Sequence, residues 1–305
     1  MVLTPSRRET MGGKRDRIPT SMNDRAPSSR SEATLLIDGT PPSWRAYWRE
    51  LRAFHEVTRM LIRRDLIVRF RQTYFGLAWL LFKPLMLMAV MSFAFGYLAG
   101  FESNNAIPYP LISFCGVIPW YFFSNAVPDG MNSLVGHLHI IQKTYFPRAI
   151  IPIAAVAVDA AEFLVAWLLF ALGCLWFGYL PSWQIVFFPL FCLQLLLLCT
   201  AIGLLLSVLN VRFRDIGNLV PFLLTIGFFL TPAGYTLARI PAQWQAVYAL
   251  NPLVGIIEGL RWSLLRGMDG FPLLPVIFSL ATTLSMALGA AQHFLAAEAD
   301  LVDRA

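Results

Sequence analysis

From residue 77 onward the chain is a succession of long apolar runs separated by short polar or basic stretches. A membrane-crossing helix needs about 20 apolar residues to pass ~30 Å of hydrocarbon. On that measure the runs predict six spans, at roughly 77–100, 108–127, 149–180, 183–209, 219–237 and 271–296. Pro119 is expected to break the second. Six crossings place both termini on one side. Ahead of the first span, residues 44–76 follow a different rule. Trp44, Tyr47, Trp48, Leu51, Phe54, Val57, Leu61 and Ile62 recur at three- and four-residue spacing, with arginines filling much of the other surface. That spacing predicts an amphipathic helix lying in the membrane interface. Residues 1–43 have no apolar periodicity and no hydrophobic leader core, and they predict a disordered cytoplasmic tail.

Three connections stand out. Asn210-Val-Arg-Phe-Arg-Asp215 lies between two apolar runs. Arg212, Arg214 and Asp215 would each cost ~2.5–3.5 kcal/mol at a bilayer centre. The stretch is therefore expected to be a tight turn at a membrane surface. Residues 128–148 carry Leu134, Val135, Leu138, Ile140 and Ile141 and end in Lys143-Thr-Tyr-Phe-Pro-Arg148, which predicts a short amphipathic helix at the same surface. Residues 238–270 are too apolar for a free loop and are interrupted by Asn251-Pro252. They predict a broken, half-inserted outer hairpin between the fifth and sixth spans, sheltered by protein or a water-filled cavity. Within it Glu258 and Arg261, three residues apart, are placed to pair.

Composition confirms the class. Of 305 residues 57% are hydrophobic and 14% charged, against about 25% charge in a soluble domain. The expectation is an all-α polytopic membrane protein, with residues 77–305 forming a six-helix transmembrane domain. Fifteen of the 24 Lys and Arg lie within residues 1–76, so the net charge of +6 marks a membrane side rather than a nucleic-acid partner. The positive-inside rule puts both termini in the cytoplasm. The four cysteines sit in apolar runs at no metal-site or redox spacing.

Little in the chain promises catalysis. There is no G-x-x-x-x-G-K-[ST] loop, so ATP hydrolysis by that route is excluded. The four histidines are scattered, and no metal site is expected. Asp159 and Glu162 share a face of the third span and suggest either a proton or cation relay or a polar bundle interior. Lys83 is the nearest basic candidate partner inside the spans. Trp120, Tyr121, Phe122 and Phe123 are consecutive, about twelve residues into the second span and hence ~18 Å deep. Together they cover every side of a helix. Phe228 and Phe229 are expected at middle depth in the fifth span. Such rings offer flat, polarisable walls to a sugar chain, or simply pack a core.

Several ordered motifs carry a resemblance. They are Arg69-Phe-Arg-Gln-Thr-Tyr-Phe-Gly-Leu-Ala-Trp79 with Lys83-Pro-Leu85, Gly116-Val-Ile-Pro-Trp-Tyr-Phe-Phe123, and Lys143-Thr-Tyr-Phe-Pro-Arg148 with Pro152. After these come Leu209–Asp215, Pro221-Phe-Leu223, Phe229-Leu-Thr-Pro232 with Tyr235, and Leu250-Asn-Pro-Leu-Val-Gly255 through Glu258 and Arg261. In this order, over residues 45–270, the chain resembles the membrane subunit of ABC-2-type polysaccharide exporters. That family often ends in a basic tail, whereas this chain reads Phe294-Leu-Ala-Ala-Glu298. The resemblance implies a homodimer in the bacterial inner membrane, working with two copies of a separate ATPase that binds ATP and Mg, and a lipid-linked polysaccharide substrate. No cofactor is expected in this chain. Candidate pathway residues are Trp120, Tyr121, Phe122, Phe123, Phe228 and Phe229. Candidate coupling residues are Lys143, Tyr145, Phe146, Pro147, Arg148, Arg212, Arg214 and Asp215, and candidate outer-gate residues are Asn251, Pro252, Glu258 and Arg261. Export of a small amphiphile by the same machinery, a membrane glycosyl- or acyltransferase, and a proton-coupled carrier are the alternatives.

Overall fold

The structure is a computed structural model that describes residues 44–71, 78–98, 100, 107–137, 146–265 and 270–298. The expected tail at 1–43 lies outside the described residues, as do Lys143 and Tyr145 and most of the helix predicted to end there. Among the described residues the regular structure is entirely helical. Helices α1 (Trp44–Ala53) and α2 (His55–Arg71) meet at Phe54, across which backbone hydrogen bonds continue. Helix α3 (Ala78–Met91) passes into a π-helical stretch, Ser92–Leu98. Then come α4 (Tyr109–Gly136), α5 (Ile150–Trp176) and α6 (Phe188–Arg212), the last led in by a 3-10 turn at Trp183–Phe187. Helix α7 (Ile216–Phe229), a 3-10 turn at Leu237–Arg239, α8 (Ala242–Ala249), α9 (Pro252–Leu264) and α10 (Leu273–Glu298) complete the chain.

Among the described residues four segments are long and apolar enough to cross a membrane: α4, α5, the run Trp183–Arg212, and α10. Phe82–Leu98 and Ile216–Phe229 are shorter apolar helices. Helix α7 has 14 residues, about 21 Å at 1.5 Å per residue, and ends well before the expected position 237. Phe228 and Phe229 therefore lie at its end.

Helix α4 is the axis of the fold and packs against α3, α5, α6, α7 and α9. It runs unbroken through Pro119 and Pro128 to Gly136. An internal proline costs roughly 3 kcal/mol in an isolated helix, but nearly every residue from Leu111 to Val127 is buried or half-buried. Tertiary packing outweighs the local penalty. The expected break at Pro119 is not there, and the described part of 128–148 continues the span rather than starting a new helix. Where α4 crosses α6, a Cβ on Gly130 would come within 3.1 Å of the Gly203 Cα, so the two glycines set the close approach.

Two apolar layers result. The larger surrounds the middle of α4 with α5, α6 and α9. The smaller lies at one end and gathers Tyr47 and Leu61 of α1 and α2, Leu134, Phe146, Ile150, Val208 and Phe294. The ends of α4, α6 and α10 and the start of α5 meet there.

Candidate translocation pathway and coupling surface

The four consecutive aromatics of α4 are sorted by direction. Phe122 is buried against Phe163 at 4.6 Å between ring centroids and joins an inner row through Trp167 to Phe170 and Phe188. Trp120 turns the other way and meets Phe123 at 5.9 Å and Phe228 at 5.7 Å. Phe228 meets Phe229 at 5.4 Å. Exposure rises along this second row from 6% at Trp120 to 67% at Phe229. Tyr121 faces neither row and lies within the field of Arg69, Asp159 and Glu162. The six aromatics thus divide, and only Trp120, Phe123, Phe228 and Phe229 form one continuous track from interior to surface.

Asp159 and Glu162 do have a basic partner, and it is not Lys83. Arg69, near the end of α2, donates to Asp159 Oδ1 at 2.5 Å and to Asp129 Oδ2 at 2.6 Å, and its Nε lies 3.5 Å from Glu162 Oε1. One guanidinium holds three carboxylates from two long helices. Asp159 is 2% exposed, and its second oxygen is buried without a hydrogen bond. Asp129 lies seven residues before the end of α4 and Asp159 nine after the start of α5, so the cluster is ~10–14 Å inside the layer where these helices end. An open pocket of about 250 Å³ beside it is lined by Asp65, Asp129, Asn132 and His137. The Arg64 guanidinium sits 2.6 Å from His137 Nε2, a second tie between α2 and α4. Sequence reading missed Arg69 because it assigned that run to the interface and Asp129 to the surface connection after the second span. The available signal was three acids near one end of the spans, each needing a cation.

At the same end, α6 and α7 are joined by a turn of three residues, as expected for Asn210–Asp215. Arg212, Phe213, Arg214 and Asp215 are exposed, while Asn210 donates to Asn132 Oδ1 at 3.0 Å and ties the turn to α4. Phe146 and Pro147 are buried and face their own chain. Arg148 is clamped to the end of α10: its backbone N–H donates to Glu298 Oε1 at 2.9 Å and its guanidinium to the Glu298 carbonyl at 2.7 Å. Tyr47 lies beside this carboxylate, and burial first, then the Glu298 charge, pushes its phenol well above the usual range. The sequence that departs from the family's tail is therefore an anchor for the loop ahead of α5.

The opposite end holds the segment 230–265. After α7 the backbone abandons the helix, yet Thr231, Ala233 and their neighbours are buried. Such backbone needs partners. Arg261, fully buried, donates to the Ala233 carbonyl at 2.9 Å, the Tyr235 carbonyl at 2.7 Å and Glu258 Oε1 at 2.9 Å. The same Glu258 oxygen accepts from the Leu237 N–H at 3.0 Å, and the Tyr109 hydroxyl donates to the Gly234 carbonyl. A Cβ on Gly116 would stand 2.2 Å from the Ala233 oxygen and 2.3 Å from Arg261 Nη2, so only glycine fits there. Asn251 caps α9 through the Leu253 N–H at 3.0 Å and donates to Thr231 Oγ1 at 3.0 Å. Pro252 occupies the first turn of α9, where its missing N–H costs nothing. The expected break at Asn251-Pro252 separates α8 from α9, and the expected Glu258–Arg261 pair forms.

Apolar helices long enough to cross a membrane, four of them among the described residues, mark a multi-pass membrane protein. The chain belongs to the ABC-2 type transporter family, whose model matches residues 56–265. It is 29% identical over 211 residues to the O-antigen export system permease protein RfbA of Myxococcus xanthus, covering 68% of this chain and 80% of that one. It is 26% identical over 223 residues to the protein of the same name from Klebsiella pneumoniae, covering 72% and 84%. It is 24% identical over 213 residues to the polysialic acid transport protein KpsM of Escherichia coli, covering 68% and 80%. As a permease of this family it works with a separate ABC ATPase.

Proposed function

We propose that this chain is the membrane subunit of an ATP-driven exporter that carries a lipid-linked polysaccharide, of the O-antigen kind, across the bacterial inner membrane. The similar proteins are named for O-antigen and polysialic acid export. The observation that carries the reading is the aromatic track from Trp120 through Phe123 and Phe228 to exposed Phe229. Stacked ring faces guide a glycan without holding it tightly. Two copies of the chain, apposed as a homodimer, would close such a track into a channel, and two ATPase subunits with ATP and Mg would drive it. Six crossings agree with six apolar segments, and cytoplasmic termini agree with the basic residues gathered at one end. Helices α1 and α2 would lie in the interface there, with Trp48, Met60, Ile67 and Val68 exposed to lipid.

The coupling surface is that basic end. The exposed turn Arg212–Asp215 offers charge-assisted hydrogen bonds to a motor. Arg148 would pass displacement into α5, and the Arg69 cluster would pass movement of α2 into α4 and α5 together. Asn251, Pro252, Glu258 and Arg261 would hold the outer gate.

The test is complementation. In a host deleted for the gene, surface glycan should be lost and lipid-linked glycan should accumulate inside. The wild-type chain should restore export, and Trp120→Ala or Phe228→Ala should restore about a tenth of it or less with normal insertion. Unchanged surface glycan in the deletion sinks the substrate; full complementation by both variants sinks the track.

A further inference from the structure

Between Leu253 and Leu265, Trp262 is the one residue that is not buried. Its indole is held by Phe271 at 4.8 Å and Phe187 at 5.5 Å between centroids. It forms a wall common to two neighbouring cavities. One, of about 360 Å³, is polar and presents Thr236, Gln245 and Glu258. The other, of about 500 Å³, is a groove walled by Phe187, Leu190, Leu193 and Leu197 on one side and Val276 and Leu280 on the other. The polar cavity lies at the start of α10, the end away from Arg212 and Glu298. The groove runs inward from it along the start of α6, and the eleven residues from Phe187 to Leu197 span about 15 Å. Polarity thus falls along the helix axes from the end toward the interior. A lipid in a leaflet is arranged in the same order, head at the surface and chain beneath.

We propose that the two cavities form one site for a membrane lipid with an uncharged, hydroxyl-rich head, taken from the leaflet opposite the basic end. The described lining of the polar cavity offers a carboxylate, an amide, a hydroxyl and an indole face, with no Lys or Arg among them. Hydroxyl groups both donate and accept and suit that set. The Arg261 guanidinium beside Glu258 is fully buried and already engaged by it, so a phosphate would lose its water with no exposed cation among the described lining in exchange. The apolar face of a sugar ring fits the indole. The groove commits the chain to the surface of α6 and α10, apart from the aromatic track, so the site does not depend on which substrate is exported.

The experiment uses the permease assembled with its ATPase in phosphatidylcholine nanodiscs. The probe is dodecyl maltoside carrying a photoreactive diazirine in its chain, with labelled residues mapped by mass spectrometry. Labelling should saturate and concentrate at residues 190–197 and at Leu280. Unlabelled dodecyl maltoside should compete about tenfold better than dodecylphosphocholine. Leu193, which is 62% exposed, can be enlarged without disturbing the core, so Leu193→Trp should abolish most of the labelling while the complex stays assembled. Leu164→Trp, on the exposed face of α5, should leave it intact. Labelling that rises without saturating and falls equally on Leu164, Leu168 and Leu172 would mean annular lipid only. Equal competition by the two amphiphiles would overturn the assignment of the head.

Discussion

Two arginines inside this protein do different work. Arg69 is 31% exposed and answers three carboxylates drawn from two long helices. Arg261 is fully buried and answers one carboxylate on its own helix and two backbone carbonyls. The first joins elements that already satisfy their own backbones. The second stands in for a helix that the chain has given up, supplying donors that residues 230–236 lack. A charge used to complete the backbone cannot be lost without exposing unsatisfied groups to an apolar surround. A charge used to link finished helices can be lost with every helix's backbone still satisfied, so the cost falls on the carboxylates it leaves behind and on the helices' relative positions.

The comparison is broken most directly at Arg261. Removing one partner of a buried pair costs about 3–5 kcal/mol, so Arg261→Met should abolish stable assembly, read as loss of the complex in gel filtration and of its thermal unfolding transition. Gly116→Ala should act in the same direction by driving a methyl group into Ala233 and Arg261. A wild-type melting profile for both would show that the outer segment does not rest on this pair. Arg69→Ala should leave every helix's backbone satisfied yet still cost about 3 kcal/mol, because Asp159, 2% exposed, loses its cation, while Asp129, 45% exposed, stays hydrated. Its larger effect should be functional, with ATP hydrolysis retained and export per ATP reduced about tenfold. Equal loss of hydrolysis and export would place Arg69 with Arg261 as a purely structural residue. Glu298→Gln should cost about 1 kcal/mol, the worth of a weakened charge-assisted bond to Arg148, seen as a lower melting temperature of the assembled complex. The smallest effect is expected for Asp215→Ala on the exposed turn, a drop of about twofold in both stimulated ATPase activity and export. Full activity there would remove the turn from the coupling surface.

How much of this was legible depended on whether the deciding forces were local. The turn at 210–215, the break at Asn251-Pro252 and the Glu258–Arg261 pair each follow from neighbours within a few residues, and each is found. The break expected at Pro119 fails because burial on every side of α4 overrides the proline. The end of α7 was misplaced because Leu230, Pro232 and Tyr235 read as apolar span, while the donors that let the backbone leave the helix sit on α9 and α4. Arg69 was hidden for the same reason: its partners are 60, 90 and 93 positions away in the sequence. The aromatic cluster was visible as a cluster, but its division into an inner row and a track is set by Phe163 and Phe228 on other helices.

The shortness of α7 also bears on the bilayer. At about 21 Å it is less than the ~30 Å of hydrocarbon it would have to match, whereas α5, with 27 residues, reaches about 40 Å. The molecule is therefore not equally tall around its perimeter. If α7 crosses the bilayer, lipid meeting any part of the exposed stripe of Leu219, Phe222, Leu223 and Ile226 that a second copy does not cover would thin to match it, at a fraction of a kcal/mol per ångström. A polar chain crossing beside α7 would have less oil to cross than beside α5, and the aromatic track ends there.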